Sequence, residues 1–377
     1  MCHRSARRSA TAILLATLTL SALALVPGSA LAVHPGPGAV YTLTNQVDGN
    51  FVQVFARAAD GSLTSAGAFD TGGLGTGGGL GNQGALVLSG SRLLAVSAGS
   101  NEITSFGVRG GGLTLLHQDT QPSGGVLPIS VTVRRKLAYV LNAGDGANPG
   151  NITGFTVGDD GALSPIPGST RPLSAGAVGP AQIQFALGGS VLIVTEKDTN
   201  LIDTYTVAAD GIASGPITHP SNGATPFGFA VDRSKVFVSE AFGGAPDASA
   251  TSSYRVGADG SLTLVSGSVA TTETAACWVV LTTDGRFAYV TNTGSGTVSG
   301  YRVGAGGSIS LLDPDGVTAT TGAGPIDATV TRGSGFLYTL DSGSHAISGF
   351  QIQADGSLVP IAGIGGWPAG ATGLVAL

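Results

Sequence analysis

The sequence predicts an all-β fold, a seven-bladed β-propeller, and two observations carry this prediction. A glycine closes a hairpin turn seven times at gaps of 47 to 50 residues, and a fixed period of this length is typical of propeller repeats. The glycines are Gly61, Gly111, Gly161, Gly211, Gly260, Gly307 and Gly356. Charged residues make up 11% of the chain and glycine occurs 62 times, a composition that favours many tight turns over amphipathic helices.

The sixth unit illustrates the four strands that we expect in each blade. Its strands are predicted at 278–281, 287–292, 297–303 and 308–312. The Asp284-Gly285 and Gly306-Gly307 pairs supply hairpin turns between them. Short strands joined in this way form an antiparallel sheet, and radial stacking of seven such sheets buries their faces around a central channel.

The two ends of the repeat predict how the ring closes. Residues 39–43 have the pattern of a second strand, with no innermost strand before them. Residues 368–377 have the pattern of an innermost strand, with no second strand after them. We therefore expect the C-terminal strand to join the N-terminal blade and to close the ring by sheet pairing.

The first 32 residues have the features of a secretory signal peptide. Arg4, Arg7 and Arg8 precede an uncharged apolar run at 10–26, and Ala30-Leu31-Ala32 supplies a small-residue cleavage site. We expect cleavage after Ala32, a short tail at 33–38 and one propeller domain at 39–377. The protein is therefore predicted to be secreted, by either the general or the twin-arginine route.

The charge balance of the mature chain limits its partners. The leader holds three of the 17 basic residues and none of the 23 acidic ones, so the mature net charge is 14 − 23 = −9. An acidic chain without a basic patch argues against nucleic acid and against anionic membranes. We expect a monomer whose partner is a small-molecule ligand or a cell-envelope component. Cys277, the one cysteine after the leader, lies in an apolar strand and is expected to be a small buried side chain rather than a reactive thiol.

One strand of the sixth unit carries a family resemblance. Tyr289-Val290-Thr291-Asn292, in a unit with Asp-Gly turns, resembles the YVTN-type repeats of the seven-bladed lactonase family, which includes 6-phosphogluconolactonase and 3-carboxymuconate cyclase types. The resemblance covers 39–377 and implies a secreted enzyme that hydrolyses a small sugar-type or carboxylated lactone. Family members often carry His or Arg where an innermost strand begins. The matching stretches here, none with His or Arg, are 82–84, 128–130, 180–182, 226–228, 276–278, 325–327 and 368–370.

That difference leaves a second function open, a non-catalytic extracellular binding or scaffold propeller. For either function, the loops that follow the second strands are expected to share one face with the entries to the innermost strands. The residues that end the second strands, six of which carry side-chain oxygen, are Asn45, Ala98, Asn142, Glu196, Glu240, Asn292 and Asp341. Such a rim can bind a sugar, a lactone or Ca²⁺, but Asn and Asp also cap turns. No other cofactor is expected.

Glu196 and Glu240 are the candidate catalytic residues, because Glu is not a favoured turn residue and the two come from adjacent blades. Two carboxyl groups with different pKa values can act as general acid and base. If they serve one site, they should converge with Gln182 on a channel mouth. The candidate substrate-binding residues are Gln182, Lys197, His219, Asn142, Asn292, Asp327 and Asp341. No metal site is predicted, since the histidines lack the spacing of zinc ligands.

A glycine-rich stretch at 71–84 matches the dinucleotide-binding pattern through Gly73, Gly75 and Gly78. It precedes a strand rather than a helix, so it does not belong to a Rossmann unit. We expect a flexible loop here.

Overall fold

The computed structural model describes residues 36–377, which fold as seven antiparallel sheets arranged around a central axis. The predicted signal peptide at 1–32 lies outside the described residues. Within residues 36–377, no helix has the length and apolar character needed to cross a membrane. The seven antiparallel sheets confirm the seven-bladed propeller predicted from the sequence.

Each blade is built outward from the channel in the order first, second, third and outer strand. The innermost strands are β4 (Leu86–Ser89), β8 (Pro128–Arg134), β13 (Pro180–Ala186), β17 (Pro226–Asp232), β21 (Ala276–Leu281), β26 (Pro325–Val330) and β30 (Thr372–Ala376). The second strands are β1 (Gly38–Leu43), β5 (Arg92–Ser97), β9 (Leu137–Asn142), β14 (Val191–Glu196), β18 (Lys235–Glu240), β22 (Phe287–Asn292) and β27 (Phe336–Asp341).

The third strands are largely buried, and the outer strands are the exposed edge of each blade. The third strands are β2 (Phe51–Arg57), β6 (Glu102–Arg109), β10 (Asn151–Val157), β15 (Leu201–Val207), β19 (Ala250–Val256), β23 (Thr297–Val303) and β28 (Ala346–Ile352). The outer strands are β3 (Leu63–Asp70), β7 (Thr114–Pro122), β11 (Leu163–Pro165), β12 (Arg171–Pro172), β16 (Ala213–Pro220), β20 (Leu262–Ala270), β24 (Ile309–Leu311), β25 (Ala319–Thr320) and β29 (Leu358–Gly365). Three short 3-10 turns lie at Gly110–Gly112, Leu187–Gly189 and Phe242–Gly244.

The blades are numbered by their second strands in chain order, so that blade 1 contains β1 and blade 7 contains β27. Blade 1 is closed by the C-terminal strand, as the sequence predicts. β1 lies between β2 and β30, and Val40 pairs with Ala376 in an antiparallel register. The backbone N–H of Leu377 donates to the carbonyl of Ala39 at 2.8 Å. Arg57 donates to the carbonyls of Gly36 and Leu377, so its guanidinium ties both chain segments at the seam.

Two blades have an interrupted outer strand, in blade 3 as β11 and β12 and in blade 6 as β24 and β25. In blade 6 the predicted strand at 308–312 ends early because a turn follows it. The N–H of Gly316 donates to the carbonyl of Asp313 at 3.0 Å, and Gly316 has a φ of 79°. A side chain at Gly316 would collide with the carbonyl of Thr271, so the turn requires glycine.

The repeated glycines also join neighbouring blades. All seven have a positive φ, such as 88° at Gly61 and 96° at Gly356, where glycine carries no steric penalty. Several of the hairpin carbonyls accept a hydrogen bond from a buried tyrosine of the preceding blade. Tyr289 donates to Gly356 at 2.8 Å, and Tyr338 donates to Gly61 at 2.6 Å. The period of the sequence therefore reflects contacts between blades as well as turn geometry.

Candidate functional site

The central channel encloses about 840 Å³ and is lined by all seven innermost strands. Polar side chains lie where these strands begin, and they are nearly inaccessible: Gln83 is 8% exposed, Gln182 5% and Asp327 2%. Residues where the strands end, such as Val133 and Val231, are partly exposed. The channel is therefore open at the strand-end face and closed at the strand-start face.

Residues 80–84, here called the plug, close the strand-start mouth. The side-chain amide of Gln83 donates to the carbonyl of Val279 at 2.9 Å and accepts from its N–H at 3.3 Å. The N–H of Gln83 donates to the carbonyl of Ala181 at 3.0 Å. Trp278 donates from its indole nitrogen to the carbonyl of Asn82 at 2.6 Å. The plug precedes the innermost strand of blade 2, and these bonds connect it to blades 4 and 6 across the axis of the propeller.

The segment before the plug is fixed as well. The side chain of Asn45 accepts from the N–H of Thr76 at 3.0 Å and donates to the carbonyl of Gly78 at 2.7 Å. A side chain at Gly75 would overlap the backbone of Asn45. The expected flexible loop at 71–84 is instead a bonded cover, because its glycines let the backbone pass close to blade 1.

Among the predicted site residues, Asp327 is the ionisable one that lies in the channel wall. Its carboxyl accepts from the N–H of Ala328 at 2.8 Å. Burial raises the pKa of Asp327 well above its usual range, and the Ala328 and Leu374 backbone bonds offset this only in part. Because its pKa is raised, the Asp327 carboxyl binds a proton more readily than an exposed aspartate does, and buried carboxyls of this kind serve as general acids and bases.

Gln182 also lines the channel, but its side chain is occupied. Its amide accepts from the N–H of Phe229 at 2.6 Å and donates to the carbonyl of Phe229 at 2.9 Å. The two bonds complete a strand-like pairing between blades 4 and 5. The second amide N–H of Gln182 donates to the side-chain Oε1 of Gln184 at 3.4 Å, so both N–H groups already have partners within the chain.

The two candidate catalytic glutamates do not converge on the channel. Both are fully buried. Glu240 accepts from the N–H of Gly223 at 2.8 Å and from the hydroxyls of Ser252 at 2.5 Å and Ser268 at 2.6 Å. Burial raises the pKa of Glu240, and these three bonds lower it. Its partners all come from blade 5 or from the connection that enters it.

Glu196 has the same arrangement in blade 4. It accepts from the N–H and hydroxyl of Ser174 and, at 2.8 Å, from the hydroxyl of Thr199. Glu196 and Glu240 share no hydrogen-bond partner. The expectation that they meet Gln182 at a channel mouth is therefore wrong in its geometry, because each carboxylate is turned into its own blade to hold the incoming connection.

Asp341, Asn142 and Asn292 follow this pattern. Asp341 accepts from the N–H of Gly322 at 3.1 Å and from Ser348 at 2.5 Å. Burial raises its pKa. Asn142 donates to Asn151 at 2.9 Å, and Asn292 donates to Ser299 at 2.9 Å. These side chains are buried, so they stabilise their own blades through internal hydrogen bonds and do not form an exposed rim.

Lys197 lies on the plug. Its ammonium donates to the carbonyl of Gly81 at 2.5 Å and stands 4.6 Å from the centre of the Phe227 ring. Burial lowers the pKa of Lys197, and the nearby Asp198 opposes that effect. The side chain that the sequence suggested as a substrate donor therefore binds the chain's own backbone.

His219 lies away from the channel. It belongs to the outer strand of blade 4, where its Nε2 lies 3.2 Å from the hydroxyl of Thr204 and 3.0 Å from the carbonyl of Gly260. His219, a candidate substrate-binding residue from the sequence, is carried by β16, which extends to Pro220 at the outer edge of its sheet. Cys277 is buried, and burial raises the pKa of its thiol to about 11, so the thiol is protonated at neutral pH. Across the described residues, no group of three or more His, Cys, Asp or Glu could hold a metal ion.

Two arginines of the channel wall were missed by the sequence analysis. Arg134 and Arg233 line the channel at its open mouth, where β8 and β17 end. A signal was available, since Arg134-Arg135-Lys136 and Arg233-Ser234-Lys235 occupy equivalent turns of two units. Both arginines lie where the innermost strands end, whereas the family resemblance pointed to basic residues where those strands begin.

Solved structures of lactonase-type propellers share this architecture. A candidate 6-phosphogluconolactonase from Bacteroides fragilis matches with a TM-score of 0.69 and 18% identity over 92% of this chain and 99% of its own. A second candidate 6-phosphogluconolactonase, from Bacteroides uniformis, has a TM-score of 0.71 at 16% identity, over 90% and 99% of the two chains. The periplasmic gluconolactonase of Pseudomonas aeruginosa has a TM-score of 0.69 at 16% identity, over 88% and 98%.

At these identities the likeness establishes the common fold. No protein-family model matches the sequence, and no curated protein matches it.

Proposed function

We propose that this protein is a lactonase-like propeller that takes a small sugar-type or carboxylated lactone into its central channel. The observation that carries the proposal is Asp327, a buried carboxyl with a raised pKa in the wall of an 840 Å³ channel. A cavity of this size suits a small molecule. The lactonase-type neighbours make lactone hydrolysis the first chemistry to test. The predicted leader supports a site of action outside the cytoplasm.

In the proposed reaction, the ionised Asp327 takes a proton from water as the water oxygen bonds to the lactone carbonyl carbon. The ring C–O bond then breaks, and Asp327 returns the proton to the departing ring oxygen. The product is one hydroxy acid, and the carboxyl ends in its starting state. Gln184 and Thr329, which line the same channel, are the proposed neutral donors to the carbonyl oxygen.

The test is a hydrolysis screen on the mature protein with five- and six-membered sugar lactones, followed by proton release. General acid–base catalysis contributes about 10²- to 10⁴-fold, so Asp327→Asn should lower kcat by at least about 100-fold. The control is Asp48→Asn, at an exposed carboxyl outside the channel. Equal rates for Asp327→Asn and the unchanged protein would remove Asp327 from the reaction.

A binding propeller without catalysis is the second candidate. It is favoured by the plug, which covers the strand-start mouth, and by the absence of His and Arg where the innermost strands begin. Calorimetric binding of a lactone or its hydroxy acid, with no proton release above the spontaneous rate, would select this function.

A further inference from the structure

The turns that join innermost and second strands surround the open mouth, and they hold eight of the 14 basic residues at 36–377. We call these eight side chains the basic ring: Arg92, Arg134, Arg135, Lys136, Arg233, Lys235, Arg286 and Arg332. Asp232 and Asp284 are the acidic residues of the same turns. A protein with a formal net charge of −6 therefore places positive charge around its one open mouth.

Part of the ring is neutralised locally. Lys136 pairs with Asp159 at 2.7 Å, Lys235 with Asp232 at 2.6 Å and Arg286 with Asp284 at 2.5 Å. Among the described residues, the other five members have no carboxylate within ion-pair distance. Their positive charge is available to a ligand.

Arg134 and Arg233 have the most defined setting, because they flank one turn. Arg134 donates from Nε to the carbonyl of Gly188 at 3.3 Å, and the N–H of Leu187 donates to the carbonyl of Arg233 at 2.9 Å. The turn between them is Leu187–Gly189, and no atom lies within 4 Å of the position that a side chain at Gly188 would occupy. Both arginines are exposed and both line the channel.

We propose that Arg134 and Arg233 form an anion-binding site at this mouth. It would hold the carboxylate or phosphate group of a small molecule whose remainder extends along the channel towards Asp327. Guanidinium groups suit this task, since they bind both kinds of oxyanion through paired N–H donors. The inference deepens the proposed function and rests on the channel as its binding site, and it holds for catalytic and non-catalytic propellers alike.

The test compares three probes on one carbon skeleton: glucose, gluconate and glucose 6-phosphate. Isothermal titration on the mature protein at low ionic strength should give a Kd for at least one anion that is about tenfold or more below that for glucose. The anion that binds more tightly distinguishes phosphate from carboxylate. Added salt should weaken the binding of the anion and leave that of glucose unchanged.

The variant is Arg134→Gln with Arg233→Gln, which should remove the preference for the anion. The matched control is Arg109→Gln with Arg255→Gln, which deletes two exposed arginines from the ends of third strands, outside the channel. The control should keep the preference. Equal loss in both double variants, binding of glucose as tight as that of the anions, or no binding of either anion would overturn the site.

The same titration on Asp327→Asn separates this inference from the proposed function. That variant should lose hydrolysis and still bind the anion with a Kd within about threefold of the unchanged protein, because Asp327 lies at the opposite end of the channel wall. Loss of anion binding in Asp327→Asn would overturn the two-site arrangement, even if hydrolysis is also lost.

Discussion

The buried carboxyl groups are the most informative individual residues of this protein. Glu196, Asp203, Glu240, Asp327 and Asp341 are all buried, and none of them has a lysine or arginine as an ion-pair partner among the described residues. Glu240 and Asp341 are stabilised by hydroxyl and N–H donors, which offset the loss of water at a buried charge. Asp327 faces the channel and has few hydrogen-bond donors. This difference distinguishes a candidate site residue from the carboxyl groups that have a structural role inside a blade.

Asp203 forms a pair with Glu196 inside blade 4. Both carboxyl oxygens of Asp203 are buried, and the donors near them, the Thr218 hydroxyl and the Ser174 N–H, lower its pKa only in part. Burial, and then the nearby Glu196 carboxylate, raise the pKa of Asp203 to about 7. The folded protein therefore keeps a proton there that the unfolded chain, with a pKa of 3.8, releases. The free energy of unfolding contributed by this group should fall as the pH rises from about 4 to about 7.

Asp203→Asn should remove this pH dependence, because the amide donates to Glu196 at every pH. Relative to the unchanged protein, the variant should gain about 2 to 4 kcal/mol in unfolding free energy between pH 4.5 and pH 8. Urea unfolding at both pH values measures it. Asp48→Asn, at an exposed carboxyl, should change neither value. Parallel pH curves for Asp203→Asn and the unchanged protein would contradict a raised pKa.

The sequence predicted five of the seven residues that end the second strands, but not where their side chains point. β1 and β5 end at Leu43 and Ser97 rather than at Asn45 and Ala98. Spacing placed Glu240 correctly at a strand end. Its partners Ser252 and Ser268 lie on two further strands, and nothing local in the sequence relates them to Glu240. A signal did exist for Asp203, since Glu196 pairs with Leu201 and Asp203 is two residues further along the same face. The hydroxyl-rich third strands explain why the oxygen side chains are buried.

At the scale of elements, the plug decides which mouth of the channel is usable. Its sequence suggested a loop because glycine is frequent there, and the same glycines allow the backbone to cross the ring. The plug also needs a glycine on the strand opposite it, since a side chain at Gly228 of β17 would meet Gln83 at 2.2 Å and the carbonyl of Cys277 at 2.6 Å. The contacts of the plug with blades 4 and 6 are long-range, so no local pattern predicted them.

Gln83→Ala should destabilise the protein by about 2 to 3 kcal/mol, because it leaves the buried N–H and carbonyl of Val279 without partners. Urea unfolding measures this loss. Trp278, which donates to the adjacent Asn82, should show a red-shifted emission as the plug loosens. Gln121→Ala is the control, since the Gln121 amide bonds only to the nearby Asp119. A loss no larger than that of the control would show that the plug is weakly held.

At the scale of the whole molecule, the repeat divides the charge between two faces. Hairpin and inner-turn positions at the strand-end face carry most of the arginines, together with hairpin aspartates such as Asp60, Asp159 and Asp259. The strand-start face holds acidic residues such as Glu102, Asp198, Glu273 and Asp315. The fold and the strand bounds were predictable because each unit repeats the same local pattern. The basic ring was not recognised from the sequence, because it becomes visible only when the equivalent turns of the seven units are compared.

The closure of the ring by β30 leads to a prediction about chain order. The C-terminal strand pairs with β1 so that Leu377 and Ala39 are bonded neighbours. A two-residue Asn-Gly turn that joins Leu377 to Ala39 suits this antiparallel pair. New termini between Gly146 and Ala147 fall in an exposed loop. This circular permutant should fold with an unfolding free energy at least equal to that of the mature protein, because a covalent turn lowers the entropy cost of closing blade 1.

A truncated chain that lacks residues 372–377 is the contrasting variant. It removes β30 and exposes the fully buried Val40 and Tyr41 along β1. The truncation should lower the unfolding free energy by an amount comparable with the whole 5 to 15 kcal/mol of a typical domain, roughly enough to abolish cooperative unfolding. Near-ultraviolet circular dichroism and urea unfolding compare the two variants. Closure through sheet pairing needs the β30 strand but not the natural order of the chain. Two results would therefore contradict it: a permutant that does not fold, or a truncated chain that unfolds as cooperatively as the mature protein.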